Sequence, residues 1–591
     1  MAEPGAHLPR GAITDPVRHP QPGGDALAGS TPRAEPGPEM NATEPDTAAA
    51  TSAPRASAVL DSAHLGDIEG AFGRVRVGDT DAGRTLKTRL LTMLAILGPG
   101  IIVMVGDNDA GGVATYAQAG QNYGYSLLWV LLLLIPVLIV NQEMVVRLGA
   151  VTGVGHARLI NERFGRGWGW FSVGDLFLLN FLTIVTEFIG VSLAATYFGI
   201  SKYLVVPTAA VALVVIMASG SFRRWERAMF VFIAITLLQI PMLLLSHPQL
   251  GAAAQAFVVP GIKGGLSSDA VLLIIAMVGT TVAPWQLFFQ QSNIVDKRIT
   301  PRFIGYERAD TTIGAFVVVI GAAAVMMTAD WAARSTGTQG HFGDAGAIAR
   351  LLAEHSSVLG PMFAILLLDA SIVGAAAVTL STSYAFGDVF GLKHSLHRGF
   401  SDAKQFYLSY IAMVAAAAGI VLIPGAPLGL ITTAVQALAG LLLPSASVFL
   451  LLLCNDREVL GPWVNKRWLN IVAVFIVSVL LLLSGILMAT TLFPDLDVVT
   501  VAKYLAVGIA VLAAAAVGLL RWLHRRRGAS PSPPTPVVDG AEKMQWRMPP
   551  LALLEPVTWS AGTKLGMLAL RGYLVIGAVL LVVRAVQLGG G

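Results

Sequence analysis

Long apolar runs recur along this 591-residue chain and constrain its fold more than any other feature. Each run has about 18 to 25 residues, which as an α-helix crosses the roughly 30 Å apolar core of a bilayer. Hydrophobic residues make up 55% of the chain and charged residues 13%, against about 25% charged residues in soluble domains. The sequence therefore predicts an all-α integral membrane protein. Twelve runs lie near 90–117, 126–148, 171–197, 203–219, 228–246, 269–292, 311–329, 360–388, 406–424, 428–453, 468–493 and 501–522.

The segments outside these runs have a different composition. Residues 1–88 are rich in Pro, Ala, Gly and Thr and lack a sustained apolar period, so we expect a disordered tail. The membrane core is predicted over 89–525, and residues 526–560 form a Pro-rich linker that we expect to be flexible. Residues 561–591 contain a thirteenth apolar run, near 565–587, which predicts an extra membrane helix and brings the expected total to 12 or 13.

Basic residues in the connections predict the orientation. They concentrate in alternate connections, and positive loops stay inside, so the amino terminus is predicted to be cytoplasmic and the protein to lie in the cytoplasmic membrane. The basic residues of these connections are Arg147, Arg158, Arg163, Arg166, Arg223, Arg224, Arg227, Lys297, Arg298, Arg302, Arg308, Lys393, Arg398, Lys404, Arg457, Lys466 and Arg467.

Several classes of function have no support in the sequence. The one cysteine, Cys454, excludes a disulfide framework or a cysteine metal cluster. A net charge of +4 is small for this length, and we expect no nucleic-acid partner. No zinc-protease, nucleophile-elbow or phosphate-loop motif occurs, so the chain is predicted not to be an enzyme and to use no cofactor. An intramembrane enzyme is the distant alternative, and a monomer is expected.

Polar residues interrupt the first and the sixth run. The first breaks at "GDNDAGG", from Gly106 to Gly112, and the sixth breaks near Pro284, which has no N–H to donate. A five-plus-five inverted repeat, over about 90–246 and 269–453, would place these two breaks at equivalent positions. Matching discontinuous helices indicate a transporter site near the bilayer midplane. Unpaired carbonyls at the end of a half-helix, with the charge of Asp109 beside them, favour a cation.

Three spans carry motifs that resemble a known family. "GPG" at Gly98 to Gly100 precedes the break, and "ATYAQAGQNYGY" follows it from Ala114 to Tyr125. The tenth span places Gln436 eight residues before Pro444, and "TEFIG" in the third carries Glu187. These motifs are similar to those of the natural resistance-associated macrophage protein (NRAMP) transporters of metal ions. The resemblance covers roughly 90 to 525 and implies a LeuT-type fold with broken first and sixth helices.

The resemblance also implies a metal-ion site, in which this sequence departs from the family pattern. Asp109 and Gln436 match family ligands, and Thr280 matches the residue whose carbonyl contributes. Gly112 stands where the family has Asn, and Ala283 stands where it has the Met of "MPH". Trp285 stands in place of the His in that motif, and Ile184 in place of a third-span Asp.

These departures change the chemistry of the expected site. Methionine is a soft ligand that favours transition metals, whereas Mg²⁺ prefers oxygen donors and gives up water reluctantly. A roomier pocket, with a hydroxyl of Thr280 or Thr281, suits a Mg²⁺ ion that keeps several waters. The pattern resembles the NRAMP-related magnesium transporters, which carry Mg²⁺ and Mn²⁺. Asp107 has no family counterpart and is either a second carboxylate of the site or a vestibule residue.

Loss of the histidine and the third-span aspartate bears on energy coupling. Tryptophan carries no proton, so we predict uptake of Mg²⁺ and Mn²⁺ by alternating access without proton coupling. A proton-coupled Mn²⁺ or Fe²⁺ importer is the alternative. A carrier of organic amines, in which Asp109 binds the ammonium group beside Trp285, is a second alternative. Glu187 contacts either the ion or a neighbouring helix, and Asp369 and Asp388 are expected to be buried partners.

Overall fold

The computed structural model describes residues 61–79, 85–425, 428–493, 496–508, 511, 539–555 and 557, with residues 564, 566–568, 570–572, 575–576 and 579. Helices form most of this part, and two short strands, β1 (Ile68–Gly70) and β2 (Gly73–Val75), precede the first α-helix. The helices are α1 (Leu86–Ile96), α2 (Pro99–Val105), α3 (Ala110–Tyr123), α4 (Leu128–Thr152), α5 (His156–Phe164), α6 (Arg166–Tyr197), α7 (Lys202–Met217), α8 (Phe222–Thr236), α9 (Gln239–Leu245), α10 (Leu250–Val258), α11 (Ser268–Thr281), α12 (Pro284–Asp296), α13 (Ile304–Thr336), α14 (Ala345–His355), α15 (Leu359–Phe390), α16 (Lys404–Leu422), α17 (Leu428–Cys454), α18 (Arg457–Leu460), α19 (Arg467–Leu492), α20 (Val498–Gly508) and α21 (Gly540–Gln545).

The described helices agree with the predicted membrane spans. Eight of them are long and apolar enough to cross a bilayer, or up to ten if each of two bent pairs is one span. Run 203–219 appears as the shorter apolar helix α7, and run 501–522 appears in part as α20, which is described as far as Gly508. The thirteenth run, 565–587, lies largely outside the described residues. The prediction of an all-α membrane protein is confirmed.

The centre of the bundle is the pairing of α15 with α6, two helices of 32 residues each. Small residues allow this close approach, as in many membrane helix pairs. A Cβ on Gly190 of α6 would overlap the hydroxyl of Ser371 on α15 and lie 2.6 Å from the Cβ of Ala110 on α3. The start of α3 is therefore held between α6 and α15.

The two strands form an antiparallel hairpin, Ile68–Val75, within the segment that was predicted to be disordered. Ile68 and Val75 are buried, and the hairpin packs on α1. The Ala71 N–H donates to Glu226 at 2.5 Å, and Arg298 donates to the carbonyls of Ala63 at 2.9 Å and Asp67 at 3.2 Å. The predicted disorder of 1–88 is thus wrong for 61–79, because charged side chains of the bundle bind the backbone of this short segment. Residues 1–60 and 80–84 lie outside the described part.

A buried ion pair lies beside the hairpin. Lys297, at the end of α12, contacts Glu226 of α8 at 2.5 Å, and both side chains are fully buried. The Lys297 ammonium also donates to the carbonyls of Ile96 at 2.7 Å and Leu97 at 2.9 Å. The pair therefore joins α8 and α12 to the end of α1.

Part of the predicted flexible linker is ordered at the same end of the bundle. The indole N–H of Trp463 donates to the Lys543 carbonyl at 2.9 Å, and Arg163 donates to the Glu555 carbonyl at 2.6 Å. Met548 is fully buried. The prediction of a flexible linker over 526–560 is wrong for 539–555, because side chains from the bundle bind the backbone of this stretch.

Candidate metal-ion site

Two helix breaks form the centre of the candidate site, at the positions that the sequence predicts. The first separates α2, which ends at Val105, from α3, which begins at Ala110. The Asp109 side chain caps α3 by accepting a hydrogen bond from the Gly112 N–H at 2.7 Å. The second break has extended backbone at Ala283, and Pro284 is the first residue of α12. Polar backbone from two half-helices is thus available at both breaks.

Oxygen atoms from both broken helices surround the space beside Gly112. A Cβ on this glycine would lie 2.9 Å from the Asp107 carbonyl oxygen, 3.4 Å from Asp109 Oδ1 and 3.4 Å from Thr280 Oγ1. All three residues are at least 95% buried. The missing side chain therefore leaves a space bounded by a carboxylate, a carbonyl and a hydroxyl oxygen, which are ligand types that hard cations prefer.

The two threonines of α11 have different surroundings. Thr280 Oγ1 has no hydrogen-bond partner among the described residues, whereas Thr281 Oγ1 donates to the Met277 carbonyl at 2.6 Å. The Thr281 hydroxyl also shares a hydrogen bond of 2.7 Å with the Tyr116 hydroxyl. Thr280 thus offers a free hydroxyl oxygen, where the sequence predicted mainly its carbonyl. Thr281 fixes α11 against α3 instead.

Gln436 reaches the first break from α17. A Cβ on Gly111 would overlap the Gln436 carboxamide and would lie 3.3 Å from Asp109 Oδ1. α17 comes close because Gly279 of α11 faces Gly440, whose Cα would be 2.8 Å from a Cβ on Gly279. The structure therefore places the Gln436 carboxamide beside Asp109 at the first break.

Ala283 and Trp285 flank the second break. Ala283 is buried at the start of α12, where it adds only a methyl group. The Trp285 ring packs on the first break, with Cη2 3.2 Å from the position of a Cβ on Gly106. Trp285 therefore forms an apolar wall of the candidate site.

Glu187 lies next to the site. The sequence left open whether this residue contacts the ion or a neighbouring helix. Its Oε2 accepts a hydrogen bond from the Ala110 N–H at 3.1 Å, in the first turn of α3. A Cβ on Gly374 of α15 would lie 2.7 Å from Glu187 Oε2 and 2.8 Å from the Cβ of Asp109. Both carboxylate side chains thus pack against the same glycine.

The other acidic candidates lie in structural contacts, as expected. Asp369 accepts a hydrogen bond from Thr236 at 2.8 Å, which joins α15 to α8. Asp388 contacts His394 at 3.1 Å. Burial lowers the pKa of His394, but the hydrogen bond to Asp388 and the charge of Asp388 outweigh burial, so this pKa lies above its ordinary value. These residues are therefore partners between elements in the described structure.

A cavity of about 320 Å³ connects the site to one end of the bundle. It reaches Ala110 and Gln436 at the break, and its rim includes Asp344, the residue that caps α14. α14 follows the end of α13 that is remote from the hairpin, so the cavity opens on the side opposite to the hairpin. The cavity therefore forms a vestibule beside the first break.

No group of three or more His, Cys, Asp or Glu side chains within the described ranges is arranged to hold a metal ion. The donors around Gly112 are instead the Asp109 carboxylate, the Asp107 carbonyl and the Thr280 hydroxyl oxygen. Such a set suits an ion that is bound weakly enough to be released and that keeps part of its water shell. A transported ion meets this condition better than a resident structural metal.

Two broken membrane helices beside a buried polar site are the arrangement found in many transporters. Residues 100–490 match the family described as natural resistance-associated macrophage protein-like (Nramp). The chain belongs to this family of transporters.

Relatives and solved structures agree with this assignment. The divalent metal cation transporter MntH of Ralstonia nicotianae is 30% identical over 404 residues, which cover 64% of this chain and 87% of the relative. The protein of the same name from Xylella fastidiosa strain Temecula1 is 27% identical over 72% of this chain and 90% of the relative. The manganese transporter of Eremococcus coleocola, at 20% identity and a TM-score of 0.56, covers 76% of this chain and 98% of its own. The predicted LeuT-type fold with broken first and sixth helices is confirmed.

Proposed function

We propose that this protein carries Mg²⁺, and also Mn²⁺, across the cytoplasmic membrane by alternating access. The observation that carries the proposal is the space beside Gly112, which oxygen atoms of Asp107, Asp109 and Thr280 surround. Family members that conform to the pattern fill this region with an amide and a thioether. Here Gly112 and Ala283 supply neither, so the site keeps hard donors and room for water.

This geometry supports the following roles. Asp109 supplies the charge that binds the ion, and Thr280 supplies a hydroxyl and a carbonyl oxygen. Pro284, four residues after Thr280, has no N–H to offer that carbonyl. Gln436 contacts the ion or its water shell from α17. Gly112 and Ala283 provide the room, and Asp107 adds a second negative charge.

We further propose that transport does not require a proton. Trp285 replaces the family's histidine, and it packs as an apolar wall on Gly106. The third-span aspartate of the family is replaced by Ile184, which is fully buried. The membrane potential is sufficient as a driving force, since two charges crossing about 100 mV gain about 4.6 kcal/mol, at about 2.3 per charge. The amino terminus, and with it the hairpin Ile68–Val75, lies in the cytoplasm.

Proton-coupled import of Mn²⁺ is the second candidate. The names of the relatives favour it, since those proteins are called divalent metal cation and manganese transporters. Glu187 also favours it, because this second buried carboxyl group lies next to Asp109 in the first turn of α3. The two candidates differ in whether the protein transports Mg²⁺ and in whether a proton is transported together with the metal ion.

Uptake into proteoliposomes that contain a pH-sensitive dye tests both. We expect Mg²⁺ uptake that increases with a negative internal potential and acidifies the lumen no more than empty liposomes do. Asp109→Ala is expected to abolish uptake. The control Asp330→Asn removes an acidic group that pairs with Arg334 at 2.6 Å near the end of α13, and should leave uptake intact. Absence of Mg²⁺ uptake, or one proton entering with each Mn²⁺, would overturn the proposal.

A further inference from the structure

A chain of two buried carboxamides ends on Asp107. The Gln286 amide donates to Asp107 Oδ1 and, at 3.1 Å, to the Thr281 carbonyl. Gln142 of α4 donates to the Gln286 side-chain oxygen at 3.2 Å. Both glutamines and Asp107 are fully buried. Helices α4 and α12 are thereby connected to the first helix break through side chains alone.

These contacts allow one orientation of the Gln286 carboxamide. Its NH₂ group faces two acceptors, the Asp107 carboxylate and the Thr281 carbonyl. Its oxygen faces the NH₂ group of Gln142. A flipped amide would place oxygen against oxygen and would leave the Gln142 donor without an acceptor. Gln286 is therefore fixed as a donor towards Asp107.

A neutral donor holds a carboxylate without cancelling its charge. Asp107 Oδ2 is buried and has no hydrogen-bond partner in the part of the chain that the structure describes. Another buried carboxylate of this protein does have a positively charged partner, since Glu226 contacts the ammonium group of Lys297 at 2.5 Å. Unlike an ammonium group, the Gln286 amide leaves the charge of an ionised Asp107 unbalanced, and a buried charge without a partner is costly. A bound cation would remove this cost.

We propose that Gln286 is a positioning residue that holds Asp107 as the second charge of the ion site and thereby favours divalent over monovalent cations. The proposal rests on the proposed function. With Asp109 and Asp107 both ionised and the neighbouring Glu187 neutral, the site carries two negative charges, which a divalent ion balances and a single Na⁺ or K⁺ does not. Gln142 acts one step further away, by orienting the Gln286 amide.

The test is a double-mutant cycle read by calorimetry of Mg²⁺ binding and by Na⁺ competition. Gln286→Leu removes the amide at similar size and should weaken Mg²⁺ binding at least tenfold, with a lower Mg²⁺ to Na⁺ preference. Asp107→Asn should do the same. If Gln286 acts through Asp107, the double variant should bind Mg²⁺ within twofold of Asp107→Asn alone. Losses that multiply in the double variant would overturn the proposal.

A matched control separates positioning from general damage to α12. Gln290 lies one turn further along this helix, is fully buried, and donates to the Thr311 hydroxyl at 2.9 Å. Gln290→Leu removes the same group away from Asp107, and its Mg²⁺ affinity should stay within twofold of wild type. An equal loss in Gln290→Leu and Gln286→Leu would contradict a specific role.

A further variant covers the case in which Gln286→Leu does not fold. Gln142→Leu leaves Asp107 and Gln286 in place and should weaken Mg²⁺ binding threefold or more, but only while Asp107 is present. Unchanged binding in Gln142→Leu would then overturn the proposal. If Asp109→Asn abolishes binding while Asp107→Asn and Gln286→Leu do not affect it, only the positioning role fails. Wild-type protein that binds no Mg²⁺ would refute the proposed function itself.

Discussion

Replacing Gly112 with alanine places a methyl group in the space that we propose for the ion. Its Cβ would lie 2.9 Å from the Asp107 carbonyl oxygen and 3.4 Å from both Asp109 Oδ1 and Thr280 Oγ1. Overpacking of this kind costs about 1–3 kcal/mol. Since about 1.4 kcal/mol corresponds to a tenfold change in affinity, we expect Mg²⁺ to bind roughly 5- to 150-fold more weakly.

The overpacking cost also acts on folding, but there the higher helix propensity of alanine offsets part of it. Gly112 lies in the first turn of α3, where alanine favours the helix over glycine by up to about 1 kcal/mol. The backbone N–H of residue 112, which donates to the capping carboxylate of Asp109, is retained in the alanine variant. The thermal unfolding temperature without metal should therefore remain close to that of wild type, while Mg²⁺ affinity falls.

Calorimetry of Mg²⁺ binding to the purified protein measures this difference. Gly174→Ala is the matched control, because it makes the same change within a helix, α6, at a position where a Cβ would meet nothing within 4 Å. We expect wild-type affinity in Gly174→Ala. If Gly112→Ala binds Mg²⁺ as tightly as wild type, the ion does not occupy the space beside Gly112 and the reasoning is refuted.

Three other variants probe the site and its surroundings. Thr280→Val should weaken Mg²⁺ binding by about 1 kcal/mol, roughly fivefold, without lowering the unfolding temperature, because its hydroxyl has no hydrogen-bond partner among the described residues. Glu226→Gln breaks a fully buried ion pair and should cost about 3–5 kcal/mol of stability, seen as a lower unfolding temperature, whereas Glu162→Gln, in a half-exposed pair, should change it little. Burial favours a raised pKa at Asp61, but hydrogen bonding to Arg398 and its charge lower the pKa of Asp61 from 3.8 to about 2. Attachment of the hairpin through Asp61 is thus complete above about pH 4 and is lost as the pH falls towards 2. Hydrogen exchange of 61–79 should show this loss, and Asp61→Asn should remove that pH dependence.

The helix breaks could be predicted because their causes are local. Asp109 and the glycines after it favour a helix start over a continuous helix, and Pro284 cannot continue the hydrogen bonding of α11. The site residues on three separate spans could be named only through the family resemblance. Gln436 lies more than 300 residues from Gly111, which its carboxamide contacts.

Features that depend on tertiary contacts could not be predicted. The hairpin Ile68–Val75 has too few apolar residues to indicate order, and partners such as Arg298 lie far away in the sequence. The contact of Gln286 with Asp107 joins residues 179 positions apart, and neither residue follows a motif. The sequence shows a polar residue at each place, but only the fold shows that the two meet.

Competition between Mg²⁺ and Mn²⁺ tests most directly the claim that the missing Met and Asn side chains make this a site for a hydrated hard cation. Mn²⁺ uptake into proteoliposomes would be measured with micromolar Mn²⁺ and millimolar Mg²⁺, for wild type and for Ala283→Met. The account predicts that Mg²⁺ suppresses Mn²⁺ uptake by the wild type and that Ala283→Met, which restores a soft ligand, reduces this suppression. Mn²⁺ uptake by the wild type that ignores excess Mg²⁺ would contradict it.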